Sequence, residues 1–382
     1  MKVKIIKLSL TGVLIALLFI CVGFSGININ EVKADTLTSA KSMCVLENST
    51  NRVLYQKDKD TKRANASTTK IATAITVIEN CDNLDEVITI NDKSVGVEGT
   101  SIYLRKDEQI SIRDLLYGLM LRSGNDSATA LAYHVGKTYE GFVNLMNETC
   151  IKAGAVNTHF NNPHGLDDDN HYTTAYDLAL ITSYALNNPI FAEIVATKQY
   201  VIQPTNMSDT RYLTNKNRLL NSLSDCIGVK TGFTSRAGRC LVSAVKRDGV
   251  IVVCVVLNCG PMFEESTSLL NKAYDEYDFN PIIVKDEPIY NEYYIDNKRG
   301  ELMLYSNETY IYPVLNRERD KIKVVYTLNK FEKDIKEGDI VGEISVFYDN
   351  HLQKTLKLYT INKIDVLENL DAFNSIKVQW EA

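Results

Sequence analysis

One short stretch of this chain combines the start of a helix with two side chains that can react together. An apolar run follows it, in which Ile71, Ile75 and Ile78 recur at the spacing of one buried helix face. Ser67 and Lys70 are three residues apart, which on a helix places their Cβ atoms about 5–6 Å apart on one surface. A hydroxyl beside an amine is a nucleophile beside a possible base. The free backbone N–H groups at a helix start can also stabilise an oxyanion.

The same Ser-x-x-Lys spacing occurs again at Ser243 and Lys246, where the pattern is that of a strand. Residues 239–245 and 250–256 are mostly apolar runs separated by Asp248-Gly249, which predicts a hairpin. Residues three apart on a strand point to opposite faces. The second copy is therefore not a candidate site, and the first copy alone is compatible with an ordinary helix start.

Two further motifs favour a catalytic site over an ordinary helix start. Ser123-Gly124-Asn125 interrupts two helical patterns, and Lys230-Thr231-Gly232 ends a predicted strand, where glycine lets a substrate backbone approach closely. Each motif alone has an ordinary reading, as a helix–turn–helix or a surface β-turn, and Ser49-Thr50-Asn51 repeats the second motif in a predicted hairpin turn. In this order, however, the three motifs are the set found in penicillin-binding proteins and β-lactamases.

With its flanking segments, the chain resembles the D-alanyl-D-alanine carboxypeptidases, which are low-molecular-mass penicillin-binding proteins. The resemblance covers roughly residues 36–362. It is carried by residues 115–120, 146–147, 162–167, 174–177, 230–234, 237–238 and 336–348. Asn65, Thr68 and Cys226 depart from the family pattern. The implied fold is α+β: a β-lactamase/transpeptidase-like domain, with an antiparallel sheet and a helical lobe, followed by a small all-β domain.

The resemblance implies that the enzyme trims peptidoglycan stem peptides and is inhibited by β-lactams. Ser67 would attack the carbonyl between two terminal D-alanines, neutral Lys70 would act as base, and Ser123 would relay a proton to the leaving amine. Lowering a lysine pKa from about 10.4 to about 7–8 costs roughly 4 kcal/mol. The charge of Lys230 and partial burial are the expected causes.

The remaining site residues are expected to hold the substrate. Asn125 would hold the peptide, and Lys230 with Thr231 would bind the terminal carboxylate. Gly232 would admit the substrate backbone, while the backbone N–H groups of the nucleophile and of Phe233 would bind the oxyanion. No cofactor or metal is expected, since there is no H-E-x-x-H motif, and the acidic run 167–171 is interpreted as a solvated loop.

The chain is predicted to have four parts. Residues 1–34 resemble a secretory signal peptide, with three lysines, an apolar run from Val13 to Val22 and a Val-Lys-Ala cleavage sequence. A retained membrane anchor is less favoured, because that run is too short to span comfortably. Residues 35–280 form the catalytic domain and 281–362 the β-rich domain. Residues 363–382 are expected to form an amphipathic tail helix, which either contacts the membrane or packs on the β domain.

Charge and cysteine content exclude some other classes. The formal net charge is −6, and removing the lysine-rich leader makes the chain more acidic, which argues against nucleic acid as a partner. The seven cysteines beyond the leader have no regular spacing and are interpreted as small buried residues, with a single disulfide left open.

Two other functions share parts of this pattern. A class A β-lactamase needs a glutamate three residues before a Leu-Asn pair, but every Leu-Asn pair here lacks it, and Ser183 and Cys254 are two of the residues at that position. A non-catalytic wall-binding protein with the same fold would have no need for intact Ser67, Lys70 and Lys230. An enzyme of the cell wall therefore remains the favoured prediction.

Overall fold

The computed structural model describes residues 38–295, 298–329, 335–363 and 377–380. The predicted leader, residues 1–34, lies outside the described residues, as does most of the predicted tail helix. In the described part of the chain, no single helix is both long and apolar enough to cross a membrane.

The first domain alternates strands and helices around one sheet. In chain order its elements are β1 (Ser42–Glu47), β2 (Val53–Lys57), α1 (Lys70–Glu79), β3 (Val87–Thr89), β4 (Gln109–Ser111), α2 (Ile112–Tyr117), α3 (Asn125–Gly136), α4 (Tyr139–Lys152), α5 (Ala175–Leu186), α6 (Pro189–Ala196), β5 (Gln199–Ile202), β6 (Arg211–Thr214), α7 (Leu219–Ser222), β7 (Cys226–Thr234), β8 (Gly238–Arg247), β9 (Val250–Leu257) and α8 (Met262–Glu276).

The main sheet is antiparallel, with strand order β2-β1-β9-β8-β7. The N-terminal strand β1 therefore pairs with β9, nearly the whole domain later in sequence, with Met43 opposite Val256. This confirms the predicted antiparallel sheet and shows that it is built from both ends of the domain. The helices between these strands form the lobe that carries most of the candidate site.

The central strands are buried on both faces, which explains their long apolar runs. In β1, Cys44 and Leu46 join the core shared with the helical lobe, while Met43 and Val45 are equally buried on the opposite side. Helix α8 packs against β1, β8 and β9 and covers that second face. The sheet is thus the middle of three layers, between the helical lobe and α8. Its edge strand β7 lies next to the helical lobe.

One loop of the helical lobe is held by a buried carboxylate. The loop is residues 101–104, and the carboxylate is that of Asp126 in the first turn of α3. The Asp126 carboxylate accepts hydrogen bonds from the backbone N–H groups of Ile102 and Leu104 and from the Ser101 hydroxyl. A buried carboxylate satisfies the loop's donors, so the loop needs no partner strand.

The second domain is all-β, as predicted. It comprises β10 (Tyr277–Asp278), β11 (Pro281–Ile283), β12 (Ile289–Ile295), β13 (Lys298–Tyr305), β14 (Tyr310–Ile311), β15 (Val314–Leu315), β16 (Ile322–Leu328), β17 (Ile340–Tyr348), β18 (His351–Thr360) and β19 (Lys377–Trp380). Six of these strands form one sheet, in the order β12-β13-β18-β17-β16-β19.

Strand β19 corrects the predicted tail helix. Lys377–Trp380 pairs antiparallel with β16, with Trp380 opposite Val324, so the helix cannot extend through these four residues. Val378 and Trp380 alternate with polar residues, a period that also suits a strand, and β16 offers a free backbone edge for pairing. Residues 364–376 of the predicted helix lie outside the described residues.

A buried arginine ties the two domains together. Arg52, just before β2, forms a 2.7 Å ion pair with Glu318 of the second domain, and both side chains are less than a tenth exposed. The guanidinium also lies over the rings of Tyr312 and Tyr348, at 4.7 and 4.4 Å from their centroids. A desolvated ion pair within a cage of aromatic rings holds the second domain against the hairpin of the first.

None of the seven described cysteines forms a disulfide with another described cysteine. Five are buried, as predicted, while Cys81 and Cys226 are partly exposed. Burial raises the pKa of the Cys240 thiol to about 11 and that of Cys254 to about 12.

Candidate active site

Ser67 lies in a tight turn that the protein holds from several sides. The 3-10 turn Ala66–Thr69 leads directly into α1, and Ala66 has a left-handed backbone with φ of 50°. Asn65 donates hydrogen bonds to the hydroxyls of Thr68 and Thr69, both at 3.0 Å. Ser67 is the one partly exposed residue of this otherwise buried turn. The turn therefore presents the hydroxyl to solvent from a fixed backbone.

Lys70 is fully buried, and its amine has three polar neighbours. Nζ lies 3.1 Å from Ser67 Oγ, 2.7 Å from Asn125 Oδ1 and 2.6 Å from the carbonyl oxygen of His164. An amide oxygen and a carbonyl can only accept hydrogen bonds, whereas a serine hydroxyl can also donate. A neutral amine would therefore donate its two N–H groups to Asn125 and His164, and its lone pair would face Ser67.

The surroundings favour that neutral state. Burial is the main cause that lowers the pKa of Lys70 well below its usual value, and the charges of Lys230 and Lys216 lower it further. Burial and the charge of Lys216 also lower the pKa of Lys230 to about 7. The predicted direction of the Lys70 shift and the part played by Lys230 are thus confirmed, but burial is complete rather than partial.

The second motif sits where the helical lobe breaks. The irregular turn Gly118–Arg122 ends at Ser123, which has a left-handed backbone with φ of 66°, and α3 begins at Asn125. Within the described residues the Ser123 hydroxyl makes no hydrogen bond, so it is free to exchange protons. A non-glycine residue in this conformation stores about 1–3 kcal/mol of strain, as is common at functional sites.

Asn125 makes three hydrogen bonds to other parts of the protein, and its predicted contact with the peptide stays a prediction. Its Oδ1 accepts from Lys70, and its Nδ2 donates to the carbonyl oxygen of Glu98 at 2.5 Å. Its backbone N–H donates to the carbonyl oxygen of Thr100. In this structure Asn125 orients the base and fixes the loop around residue 99.

The third motif lies on β7, the last strand in the sheet order. Lys230 is 1% exposed, and its amine donates to the carbonyl oxygen of Thr231 at 2.9 Å. A Cβ on Gly232 would lie 3.0 Å from the backbone nitrogen of Ser67, so only glycine brings the strand this close. Phe233, the next residue, is exposed beside the cleft. All three motifs thus converge on Ser67.

Three contributors were not assigned roles from the sequence. His164 supplies a carbonyl to Lys70, and Gly165 packs against the turn, since a Cβ there would lie 2.0 Å from the Ala66 carbonyl oxygen. His171 is buried rather than solvated, and its Nε2 lies 2.8 Å from the Thr69 hydroxyl. Burial lowers the pKa of His164 to about 3 and that of His171 to about 4. In the sequence, only the segment 162–165 (Asn-Pro-His-Gly) and the histidine at position 171 could have pointed to these contributors. A contact made by a backbone carbonyl cannot be recognised from the residue type.

A groove of about 1150 Å³ opens in front of Ser67. Ser123, Thr231 and Phe233 line it near the nucleophile. Its charged lining residues among those described are Arg122, Lys216, Arg218, Arg239 and Glu264. A predominantly cationic groove suits an anionic substrate.

Gly165→Ala is expected to disable the site without unfolding the protein. The new Cβ would collide with the Ala66 carbonyl and displace the turn that carries Ser67, which should slow acylation by penicillin on the order of 100-fold. The matched control is Gly249→Ala. Gly249 has nearly the same φ, +84° against +86°, but no atom within 4 Å of the added Cβ. The control should lose about 1–2 kcal/mol of stability and acylate normally. Equal acylation by both variants, measured by stopped-flow, would contradict this role of Gly165.

Comparison with known proteins agrees with this geometry. The family model described as D-alanyl-D-alanine carboxypeptidase matches residues 29–260, and that of the penicillin-binding protein 5 C-terminal domain matches residues 277–366. The chain is 29% identical to the D-alanyl-D-alanine carboxypeptidase DacF of Bacillus subtilis over 257 residues, which are 65% of this chain and 66% of DacF. It is 37% identical to a D-alanyl-D-alanine carboxypeptidase of Streptomyces over 227 residues, which are 56% of this chain and 78% of that relative.

Solved structures show the same similarity. The D-alanyl-D-alanine carboxypeptidase DacD of Francisella tularensis superposes with a TM-score of 0.65 at 25% identity, covering 90% of this chain and 99% of DacD. The Streptomyces K15 DD-transpeptidase superposes with a TM-score of 0.60 at 33% identity, covering 63% of this chain and 99% of the other. The family match spans more than half of the sequence, and the chain therefore belongs to the D-alanyl-D-alanine carboxypeptidases, the serine-type hydrolases of the penicillin-binding protein group.

Proposed function

We propose that this protein removes the terminal D-alanine from peptidoglycan stem pentapeptides through an acyl-enzyme on Ser67. The observation that carries the proposal is the buried amine of Lys70, which lies 3.1 Å from the Ser67 hydroxyl and has its other two partners limited to acceptors. A neutral amine so placed is a general base for the attacking hydroxyl.

The reaction then follows in balanced steps. Lys70 takes the Ser67 proton as Oγ bonds to the carbonyl carbon, and backbone N–H groups of Ser67 and Phe233 hold the oxyanion. The C–N bond breaks as the leaving D-alanine amine gains a proton, which Ser123 relays from Lys70. A water molecule then gives a proton to Lys70 as its oxygen attacks the ester carbonyl. The bond between this carbon and Ser67 Oγ breaks as Oγ takes that proton from Lys70, which releases the shortened peptide and restores the Ser67 hydroxyl.

The terminal carboxylate of the substrate requires a cation that it can reach. Lys230 is buried and its amine faces Thr231, whereas Lys216 is exposed to the groove and lies 3.4 Å from the Thr100 hydroxyl. We assign direct contact to Thr231 and Lys216. Lys230, from beneath the strand, contributes through its charge.

The β-lactamase alternative is less well supported by the groove. A class A β-lactamase activates its deacylating water with a glutamate near the nucleophile. Glu264 is the only carboxylate among the described residues that line the groove, and it belongs to the first turn of α8, on the face of the sheet opposite the helical lobe. A slow acyl-enzyme with β-lactams is what this arrangement supports.

The direct test is release of free D-alanine from a synthetic pentapeptide ending in D-Ala-D-Ala. The chain without residues 1–34 should release one D-alanine per peptide. Ser67→Ala should lose activity on the order of 10⁶-fold, because the nucleophile is gone. Intact-mass spectrometry should show one penicillin adduct, absent from the variant. Release of D-alanine or an adduct in Ser67→Ala would overturn the assignment.

We further propose export across the cytoplasmic membrane and weak membrane contact. The leader-like residues 1–34 support export, and Leu367, Leu370 and Phe373 of the tail support apolar contact with a membrane surface. Fractionation of cells that produce the full chain tests both. The processed protein should lie outside the cytoplasm, partly with membranes. An unprocessed cytosolic protein would contradict export, and complete absence from washed membranes would contradict the contact.

A further inference from the structure

The cations of the groove fall into two pairs. The inner pair is Arg122 and Lys216, where Arg122 immediately precedes Ser123 and Lys216 contacts Thr100. The outer pair is Arg218 and Arg239. The single terminal carboxylate of a D-Ala-D-Ala substrate can be neutralised by the inner pair alone. The outer pair then has no function in the reaction described above.

Both outer arginines contact the segment that follows β9, which comprises a turn and the start of α8. Arg239 Nη1 donates to the carbonyl oxygen of Gly260 at 3.2 Å, and the Arg218 guanidinium lies 5.7 Å from the centre of the Phe263 ring. Both side chains are exposed, and Arg239 stands directly opposite Phe233 in the β7–β8 pair. The two guanidinium groups therefore flank the groove where it runs on from the nucleophile past Phe233.

The two outer arginines have no carboxylate partner among the described residues. Neither Arg218 nor Arg239 forms an ion pair with a carboxylate in the described part of the chain. By contrast, Arg211, Arg236 and Arg247 each hold one. Among the described residues that line it, the groove has four cationic side chains and one carboxylate, that of Glu264, on a chain whose formal net charge is −6. Unpaired arginines with free donors are suited to bidentate carboxylate recognition.

We propose that Arg218 and Arg239 form a second carboxylate subsite, which selects stem peptides that carry a free acidic group on the N-terminal side of the scissile bond. This inference rests on the proposed carboxypeptidase function and specifies its substrate class. The enzyme would prefer stem peptides whose carboxylates on the N-terminal side of the scissile bond are free over those in which these carboxylates are amidated.

The test uses two synthetic pentapeptides composed of L-alanine, γ-linked D-glutamate, meso-diaminopimelate and two D-alanines. In one peptide, both side-branch carboxylates on the N-terminal side of the scissile bond are free. In the other peptide, both are carboxamides. The wild-type protein should cleave the free acid with the higher kcat/KM. Arg218→Gln/Arg239→Gln should lower kcat/KM for the free acid about 10-fold, since each exposed ion pair contributes up to about 5-fold. Cleavage of the diamide should not change.

Matched controls separate this subsite from other effects. Arg317→Gln removes an exposed arginine of the second domain and should leave both peptides unaffected. Penicillin acylation and the thermal midpoint of the double variant should match the wild type. Equal wild-type rates for the two peptides, or an equal loss for both in the double variant, would overturn the subsite while leaving the proposed function intact. Failure to cleave either peptide would instead overturn the proposed function.

Discussion

The burial of one lysine amine is the constraint on which the rest of the site depends. A charged ammonium is costly to remove from water, so Lys70 at 0% exposure is most stable in its neutral form. In that form its donors satisfy Asn125 and His164, and its lone pair faces the nucleophile. Burial of this amine costs free energy on folding, and the same burial favours the neutral form that can act as a base.

The surrounding structure explains how that burial is maintained. Asn125 is held by Glu98 and Thr100, and the loop that contains these residues is anchored in turn by the buried carboxylate of Asp126. On the other side, the Thr73 hydroxyl of α1 donates to the carbonyl oxygen of Pro163 and fixes the loop that contains His164. Two loops remote in sequence thus close over one amine, and each is tied to the helix or turn that it serves.

The sequence predicted those parts of the structure that depend on side-chain pattern. The period of Ile71, Ile75 and Ile78 gave α1, and the spacing of Ser67 and Lys70 placed hydroxyl and amine together, as the 3.1 Å contact shows. What it missed were contacts made by the backbone. The carbonyl of His164 has no signature in residue type. The strand Lys377–Trp380 depends on a free edge of β16, which local pattern cannot reveal. The polarity of Asn125 is visible in the sequence, but its side-chain contacts with Lys70 and Glu98 are not.

The protonation state of Lys70 is the central claim, and NMR titration of the lysine side chains tests it directly. Protein labelled with ¹³C and ¹⁵N in lysine would be titrated from pH 5 upward, and the Lys70 signal would be assigned by its absence in Lys70→Arg. Lys70 is expected to titrate well below the usual lysine value, with the neutral amine present above that lowered pKa. A Lys70 signal that titrates near the ordinary value of about 10.4 would contradict the account, because the amine would then be charged at neutral pH and could not accept the Ser67 proton.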